Sequence, residues 1–299
     1  MRSPRVKRLL NGVLMLDKAP GPSSNAALQQ AKRLYQAAKA GHAGTLDPLA
    51  TGLLPILFGE ATKFSSDLLE SDKSYAAEIR LGVSTTTADA QGEVIAERAV
   101  NVTADELAAA LLHFRGDLLQ TPPLYSALKH AGKPLYAYAR DGIHIEREPR
   151  RVTIHELNLQ WFEGERLALS VTCSKGTYIR SIAHDLGETL GCGAHLTALR
   201  RTAVGRFGLN CAHALASLEA MPAAERDARL LPLDALLQNL PEVRLEPAQQ
   251  ARFVRGQAVP WDGPPQARVR VYGASGALLG VGEAGADKAL SPKRVIASA

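Results

Sequence analysis

Residues 41–52, Gly-His-Ala-Gly-Thr-Leu-Asp-Pro-Leu-Ala-Thr-Gly, constrain this chain more than any other stretch. The run carries three glycines, a histidine, two threonines and one carboxylate, with almost no bulky side chain, so it cannot pack a core by itself. Glycine admits positive φ and lets a ligand approach the backbone closely. Asp47 stands directly before Pro48, which biases it towards an extended conformation and displays one acid on a stiffened turn. An ordinary surface turn has the same composition. The next segment of the chain, Leu53 to Phe58, is strongly apolar. A loop that enters a core carrying a single acid is a candidate site rather than a solvated bend.

The length of 299 residues suits one large domain and a small one. Hydrophobic residues make up 46% and charged residues 22%, the balance of an ordinary globular protein. Thirty-five basic against 30 acidic side chains give a net charge of +5, which is compatible with a polyanionic partner without demonstrating one. Cys173, Cys192 and Cys211 are odd in number and far apart, with no CxxC and no ligand-spaced Cys/His pair. They read as small apolar fillers in a reducing compartment, which predicts a cytoplasmic protein with no structural metal. No apolar run reaches the roughly 18 residues of a membrane span. Arg2, Arg5, Lys7 and Arg8 precede Leu9-Leu10, but Asn11 breaks the apolar stretch and no small-residue cleavage site comes after it. The N-terminus reads as a basic arm leading into a buried strand.

Gly12 to Leu16 predicts that strand, followed by a turn over residues 17–22. Ser23 or Ser24 then caps a helix with Ala27, Leu28, Ala31, Leu34, Tyr35 and Ala38 on one face. A second helix is expected from about Glu60 to Leu69, with Lys63 near its start. In residues 73–83, Tyr75, Ala77, Ile79 and Leu81 share one face of a strand, where Tyr75 reads as an ordinary strand aromatic. Thr103 and Glu106 form a capping box for a helix through Leu107, Leu111 and Phe114. Residues 121–151 mix prolines with Tyr125, Tyr136 and Tyr138 and the cations Lys129, Lys133, Arg140, Arg147, Arg150 and Arg151. This texture suits a surface that tracks an RNA strand, or a charged insertion with no partner. Leu167 to Cys173 alternate as a strand running into residues 176–180. If Tyr178 and Arg180 are still extended there, they face the same way. A helix carrying Ile182, Ala183, Leu186 and Leu190 comes next. Arg200, Arg201 and Arg206 form a further basic cluster, and helical connectors occupy about 212–240. Beyond Leu240-Pro241 the composition changes. A short helix, a Pro-rich bend and strands near 269–272, 278–281 and 294–297 predict a small β-rich module.

Several motifs fail. Residues 280–285 match GxGxxG, but only 14 residues remain after them, too few for a βαβ unit. GxxxxGK[ST], GxSxG and the HxE…PCxxC pair of zinc base deaminases are absent. His184-Asp185 sits inside an amphipathic helix and reads as structural or solvated.

Residues 41–52 resemble the catalytic loop of the bacterial TruB family, the tRNA pseudouridine-55 synthases. The likeness extends, in the family's order, through residues 17–24 (DKAPGPSS), 59–63 (GEATK), 73–75 (KSY), 123–129 (PLYSALK), 175–187 (KGTYIRSIAHDLG) and 199–202 (LRRT). Together these span residues 12 to about 208. The tail is similar, more loosely, to a PUA RNA-binding module. The resemblance implies an α/β fold with a mixed, largely antiparallel central sheet. It also implies a catalytic domain over 1–240 with a basic insertion at about 122–151, and a PUA-like domain over 241–299. The implied reaction isomerises uridine 55 in the tRNA T-loop: the base is detached from its sugar, rotated and rejoined through carbon, with no cofactor. In the implied roles, Asp47 is the nucleophile, Tyr75 stacks on the flipped base, Tyr178 helps remove the C5 proton and Arg180 pairs with the aspartate. His42 props open the T-loop, Leu199 walls the site, and Lys18, Lys63 and Lys129 lie near RNA. Ala43 stands where members often carry threonine. The expected partner is the T-stem-loop, bound by a monomer with no obligate protein partner and no membrane association.

These roles are physically coherent. Extruding a stacked uridine costs a few kcal/mol, and an aromatic such as Tyr75 returns about 1–3 kcal/mol by stacking. Burial raises the pKa of Asp47, and Arg180 opposes that shift and is expected to orient the acid through a bidentate contact. Tyrosine, with an ordinary pKa of about 10, is a poor base, so Tyr178 is expected to combine packing with any proton transfer. Two rival readings are an RNA-folding chaperone, whose role can also coexist with the chemistry, and a guide-RNA-dependent pseudouridylase. Intact Asp47, Tyr75 and Arg180 argue against a purely binding protein, and the absence of long lysine-rich extensions argues against the guided enzyme.

Overall fold

The computed structural model describes residues 7–143 and 145–296. Arg2 and Arg5 of the basic arm and Ala297 of the last expected strand lie outside the described residues.

Strand β1 (Gly12–Lys18) buries both its faces: Leu14 and Leu16 join one core, Val13 and Met15 the other. A strand covered on both sides reads as a continuous apolar run rather than an alternating one. It is longer than its apolar stretch. Asp17 and Lys18, expected in a turn, stay in register with Leu53 and Gly52 of the neighbouring strand. Helix α1 (Ser24–Leu34) is capped by Ser23, whose hydroxyl accepts from the Ala26 amide. The short strand β2 (Ala40–His42) leads into the glycine-rich loop, and β3 (Thr51–Phe58) leaves it. The helix expected near 60–69 is a 3-10 turn, Gly59–Phe64, followed by α2 (Ser65–Leu69).

Strand β4 (Lys73–Leu81) is followed by the small ribbon β5 (Val83–Thr85) and β6 (Val94–Glu97). Helix α3 (Ala104–Leu112) carries the expected capping box, and Phe114, just past its end, is buried. Strand β7 (Gly116–Gln120) precedes the insertion, which folds as a hairpin of β8 (Lys129–His130) and β9 (Lys133–Pro134) with helix α4 (Leu135–Arg140). Then come β10 (Arg150–Glu163), β11 (Arg166–Cys173), α5 (Ile179–Thr189) and β12 (Ala194–Val204). The sequence pattern does not mark β7, β10 and β12 as strands. All three carry charges on partly solvated faces, which blurs the period-two signal, and pairing with neighbours overrides the local pattern. Tyr178 is extended, but Arg180 already lies in the first turn of α5, so they do not share a strand face.

The connector holds β13 (Phe207–Gly208), β14 (His213–Ala214), α6 (Leu215–Ala220), α7 (Ala223–Asp227) and a 3-10 turn, Leu233–Leu237. The main sheet runs β14-β1-β3-β12-β4-β11-β10-β7. Its pairs are antiparallel except β1 with β14 and β12 with β3. This is the mixed, largely antiparallel sheet expected. The tail contains β15 (Glu242–Arg244), α8 (Pro247–Phe253), β16 (Val259–Pro260), β17 (Gln266–Tyr272), β18 (Leu278–Ala284) and β19 (Ala289–Val295). Its five strands form a separate sheet, β15-β17-β18-β19-β16, around Val243, Phe253, Val269 and Leu290. The GxGxxG match begins inside β18, which excludes a dinucleotide loop.

Candidate active site

The loop between β2 and β3 is held by buried groups on every side. The Ser24 hydroxyl accepts from the Leu46 amide at 2.7 Å and donates to the Leu46 carbonyl at 3.0 Å. The Lys18 ammonium, 1% exposed, donates to the carbonyls of Ala19, Pro48 and Ala50 at 2.9, 3.3 and 2.6 Å. Arg201, equally buried, donates to those of Gly44, Thr45 and Leu53. Gly52 has φ +97°, and a Cβ there would lie 2.3 Å from the Arg201 carbonyl oxygen. Glycine is required for that approach. A segment with little apolar content of its own is thus fixed by hydrogen bonds to its carbonyls.

Asp47 emerges from this frame with its side chain 36% exposed, while Arg180 is 4% exposed beneath it. Arg180 Nε donates to Asp47 Oδ2 at 2.9 Å. The expected bidentate contact is not formed: Nη1 donates to the Thr87 carbonyl at 2.9 Å and Nη2 to that of Tyr125 at 2.8 Å. Buried guanidinium donors need partners, and two neighbouring loops supply them. Among the described residues, Asp47 Oδ1 accepts no hydrogen bond. Asp89 Oδ2 lies 3.7 Å from Arg180 Nε, and Asp89 Oδ1 accepts from the Thr87 hydroxyl and the Gln91 amide. Burial pushes the Asp47 pKa up; Arg180 and Lys18 oppose that and Asp89 adds to it. The net shift is upward, so Arg180 restrains the effect of burial without cancelling it.

Asp47, Tyr75, Tyr178, Arg180 and Leu199 line one cavity of about 310 Å³. Burial pushes both phenols above the ordinary tyrosine range. His42 lines an adjoining cavity of about 580 Å³ that shares Asp47 and Arg180. Burial lowers its pKa, as does the charge of Arg201. Its Nδ1 is buried, with no hydrogen-bond partner among the described residues. The three lysines differ. Lys18 faces inward, and burial lowers its pKa to about 8. Lys63 is held by Glu60 at 2.6 Å and the Val295 carbonyl at 2.8 Å, away from the Asp47 cavity. Lys129 is exposed on the β8–β9 hairpin. In the same insertion Arg140 lies over the Tyr136 ring and Lys133 over that of Tyr138.

Sequence reasoning gives no role at this site to three groups: Lys73, named only within a motif, Arg201, read only as part of a basic cluster, and Asp89. Lys73 lines the first cavity and donates to the carbonyls of Leu68, Leu69 and Ser71. A usable signal exists for Arg201, since Leu199 and Arg201 are two apart and share a strand face. Among the described residues, no group of three or more His, Cys, Asp or Glu side chains is placed to hold a metal. No helix among them is long and apolar enough to cross a membrane.

Residues 32–179 match the N-terminal domain of the TruB family pseudouridylate synthases. Residues 180–238 match the tRNA pseudouridylate synthase B C-terminal domain, and 241–296 the C-terminal region of pseudouridine synthase II TruB. A tRNA pseudouridine synthase B of Azoarcus sp. (strain BH72) is 55% identical over 98% of this chain and 97% of its own. That of Nitrosospira multiformis is 51% identical over 98% of each. An H/ACA RNP bound to a substrate RNA containing 2′-deoxyuridine includes a chain with TM-score 0.73 and 23% identity, covering 97% of this chain and 86% of that one. A Cbf5-Nop10-Gar1 complex gives 0.70 and 27%, covering 92% and 78%. The family models matched across residues 32–296, with 51–55% identity to these synthases over nearly the whole chain, show that the chain belongs to the TruB family of pseudouridylate synthases.

Proposed function

We propose that this chain isomerises uridine 55 in the T-loop of tRNA to pseudouridine, with Asp47 as nucleophile. The observation that carries the reading is the convergence of Asp47, Tyr75, Tyr178, Arg180 and Leu199 on one cavity. The reaction breaks the N1–C1′ bond, forms C5–C1′ and moves the C5 proton to N1, so it consumes no water and transfers no net electrons. Tyr75 stacks on the extruded base, and a carboxylate oxygen of Asp47 meets it in the ionised form. Arg180 favours that form and leaves Oδ1 unencumbered. Tyr178 packs the base and assists removal of the C5 proton, through a relay because its phenol is held above the ordinary range. His42, with its neutral ring and unpartnered Nδ1, fills the space the uridine leaves. Lys129 meets phosphate from the exposed hairpin.

The catalytic domain is assigned to 1–240 and a PUA-like RNA-binding domain to 241–299, supported by the separate sheet and core of the tail. The enzyme acts as a monomer in the cytoplasm without a guide RNA or obligate protein partner. The adjoining 580 Å³ cavity extends the binding surface beyond the chemistry and favours a second capacity, to open and refold tRNA. Incubating the protein with an unmodified tRNA transcript and a bare T-stem-loop, then mapping by carbodiimide-primed reverse transcription, tests the reaction. A stop at position 55 is expected in both. Asp47→Asn is expected to abolish the stop while retaining tRNA binding and refolding. Modification elsewhere, or an active Asn variant, refutes the assignment.

A further inference from the structure

Arg201 is the largest fully buried side chain among the described residues. Its hydrogen-bond acceptors are backbone carbonyls rather than carboxylates: Leu53 from Nε at 2.7 Å, Thr45 from Nη1 at 3.4 Å and Gly44 from Nη2 at 3.2 Å. An arginine buried without a carboxylate costs stability that an apolar residue of similar volume would not. Packing alone therefore gives no reason for it. Its place in the sheet does. On one side Arg201 pairs with Tyr75 of β4, and on the other with Gly52 of β3. The backbone of Arg201 lies against the end of the Asp47 loop, while its guanidinium holds the beginning. Strand register sets Arg201 and Tyr75 side by side, and each favours the other's charged form. Both line the cavity.

We propose that Arg201 is a positioning residue for the isomerisation, clamping the Asp47 loop and the Tyr75 ring at the one spacing that admits a flipped uracil between them. The inference rests on the reaction proposed above. It uses the planar fork of arginine, whose donors span three carbonyls on two sides of one loop, a task lysine cannot reproduce. Displacing a reacting group by about 1 Å costs about 10²-fold in rate, whereas RNA contacts outside the cavity are untouched.

The test compares wild type, Arg201→Met and Arg201→Lys on a T-stem-loop RNA, with affinity by filter binding and the chemical step by single-turnover pseudouridine formation. Arg201→Met is expected to bind within about threefold of wild type and to react about 10²-fold more slowly. Arg201→Lys, which keeps the charge without the fork, is expected to recover part of that loss. Gly44→Ala approaches the same contact from the loop side. Its Cβ would stand 3.3 Å from Arg201 Nη1 at φ +97°, and the same split between intact binding and slowed chemistry is expected, even if Arg201→Met does not fold. Single-turnover rates within threefold of wild type in the folded variants, full recovery by lysine, or losses of rate matched by equal losses of affinity overturn the proposal. A wild-type protein that makes no pseudouridine refutes the underlying reaction instead, an outcome visible before any variant is compared.

Discussion

At Asp47 two opposed effects decide whether the carboxyl group is charged. Burial favours the neutral acid, and Arg180 favours the carboxylate. Since the net shift is upward, the ionised fraction falls off at a higher pH than for a free aspartate of pKa about 3.9. The acid limb of kcat/KM should therefore lie above that value. Arg180→Met removes the opposing charge, so Asp47 rises further. The acid limb is expected to move to higher pH, and turnover near neutrality to fall about 10²-fold or more, as read from a pH–rate profile. An unmoved limb would show that another group titrates. At this scale the sequence marked Asp47 as a candidate, although an ordinary turn has the same composition, and the structure places buried Arg180 against it. The monodentate contact was not legible. It arises from Thr87 and Tyr125, carbonyls distant in sequence that take the two remaining donor nitrogens.

The loop that carries the acid depends on two strands meeting closely. Strands β3 and β12 run parallel where Arg201 faces Gly52, with no room for a side chain between them. Gly52→Ala would combine a positive φ with a Cβ 2.3 Å from a carbonyl oxygen. It is expected to lower stability by about 1–3 kcal/mol or more, measured by urea denaturation, and to reduce turnover because the loop anchor shifts. A variant as stable as wild type would mean the two strands separate without cost. Elements with strong local signals could be assigned from sequence: the Thr103 capping box, a serine cap at 23 or 24, and the apolar run Gly12 to Leu16 that forms most of β1. Strands β10 and β12 could not, because their partly exposed, charged faces acquire strand structure from the neighbours they pair with.

Across the whole molecule, the tail is fixed to the larger part rather than loosely tethered. Val281 enters the core formed by Val13, Phe64, Leu68 and Leu237. The Tyr272 hydroxyl donates to Asp234 at 2.8 Å, and Arg268 pairs with Asp67 at 2.8 Å. Lys63 belongs to this junction through the Val295 carbonyl, which explains why it does not reach the cavity. For a T-stem-loop laid across the protein surface, affinity should fall steeply with salt as counterions are released. Lys129→Ala, on the exposed hairpin, is expected to weaken binding and reduce the log–log salt slope by about 1, with the single-turnover rate at saturation unchanged. An unaltered slope would remove Lys129 from the phosphate contacts.

The sequence by itself determined the chemistry available: one displayed acid, the glycines that let a loop pass close to other backbone, and the order of motifs that identifies the family. Those are local properties, written in single side chains and short spacings. Only the tertiary structure decided which distant groups meet that acid and which charges face inward. Arg180 acts from a helix rather than a strand, and Lys18 and Arg201 spend their charges on carbonyls within the protein. Burial and strand register are set by the whole sheet, and a cation's sequence neighbours do not reveal whether it will face solvent or backbone.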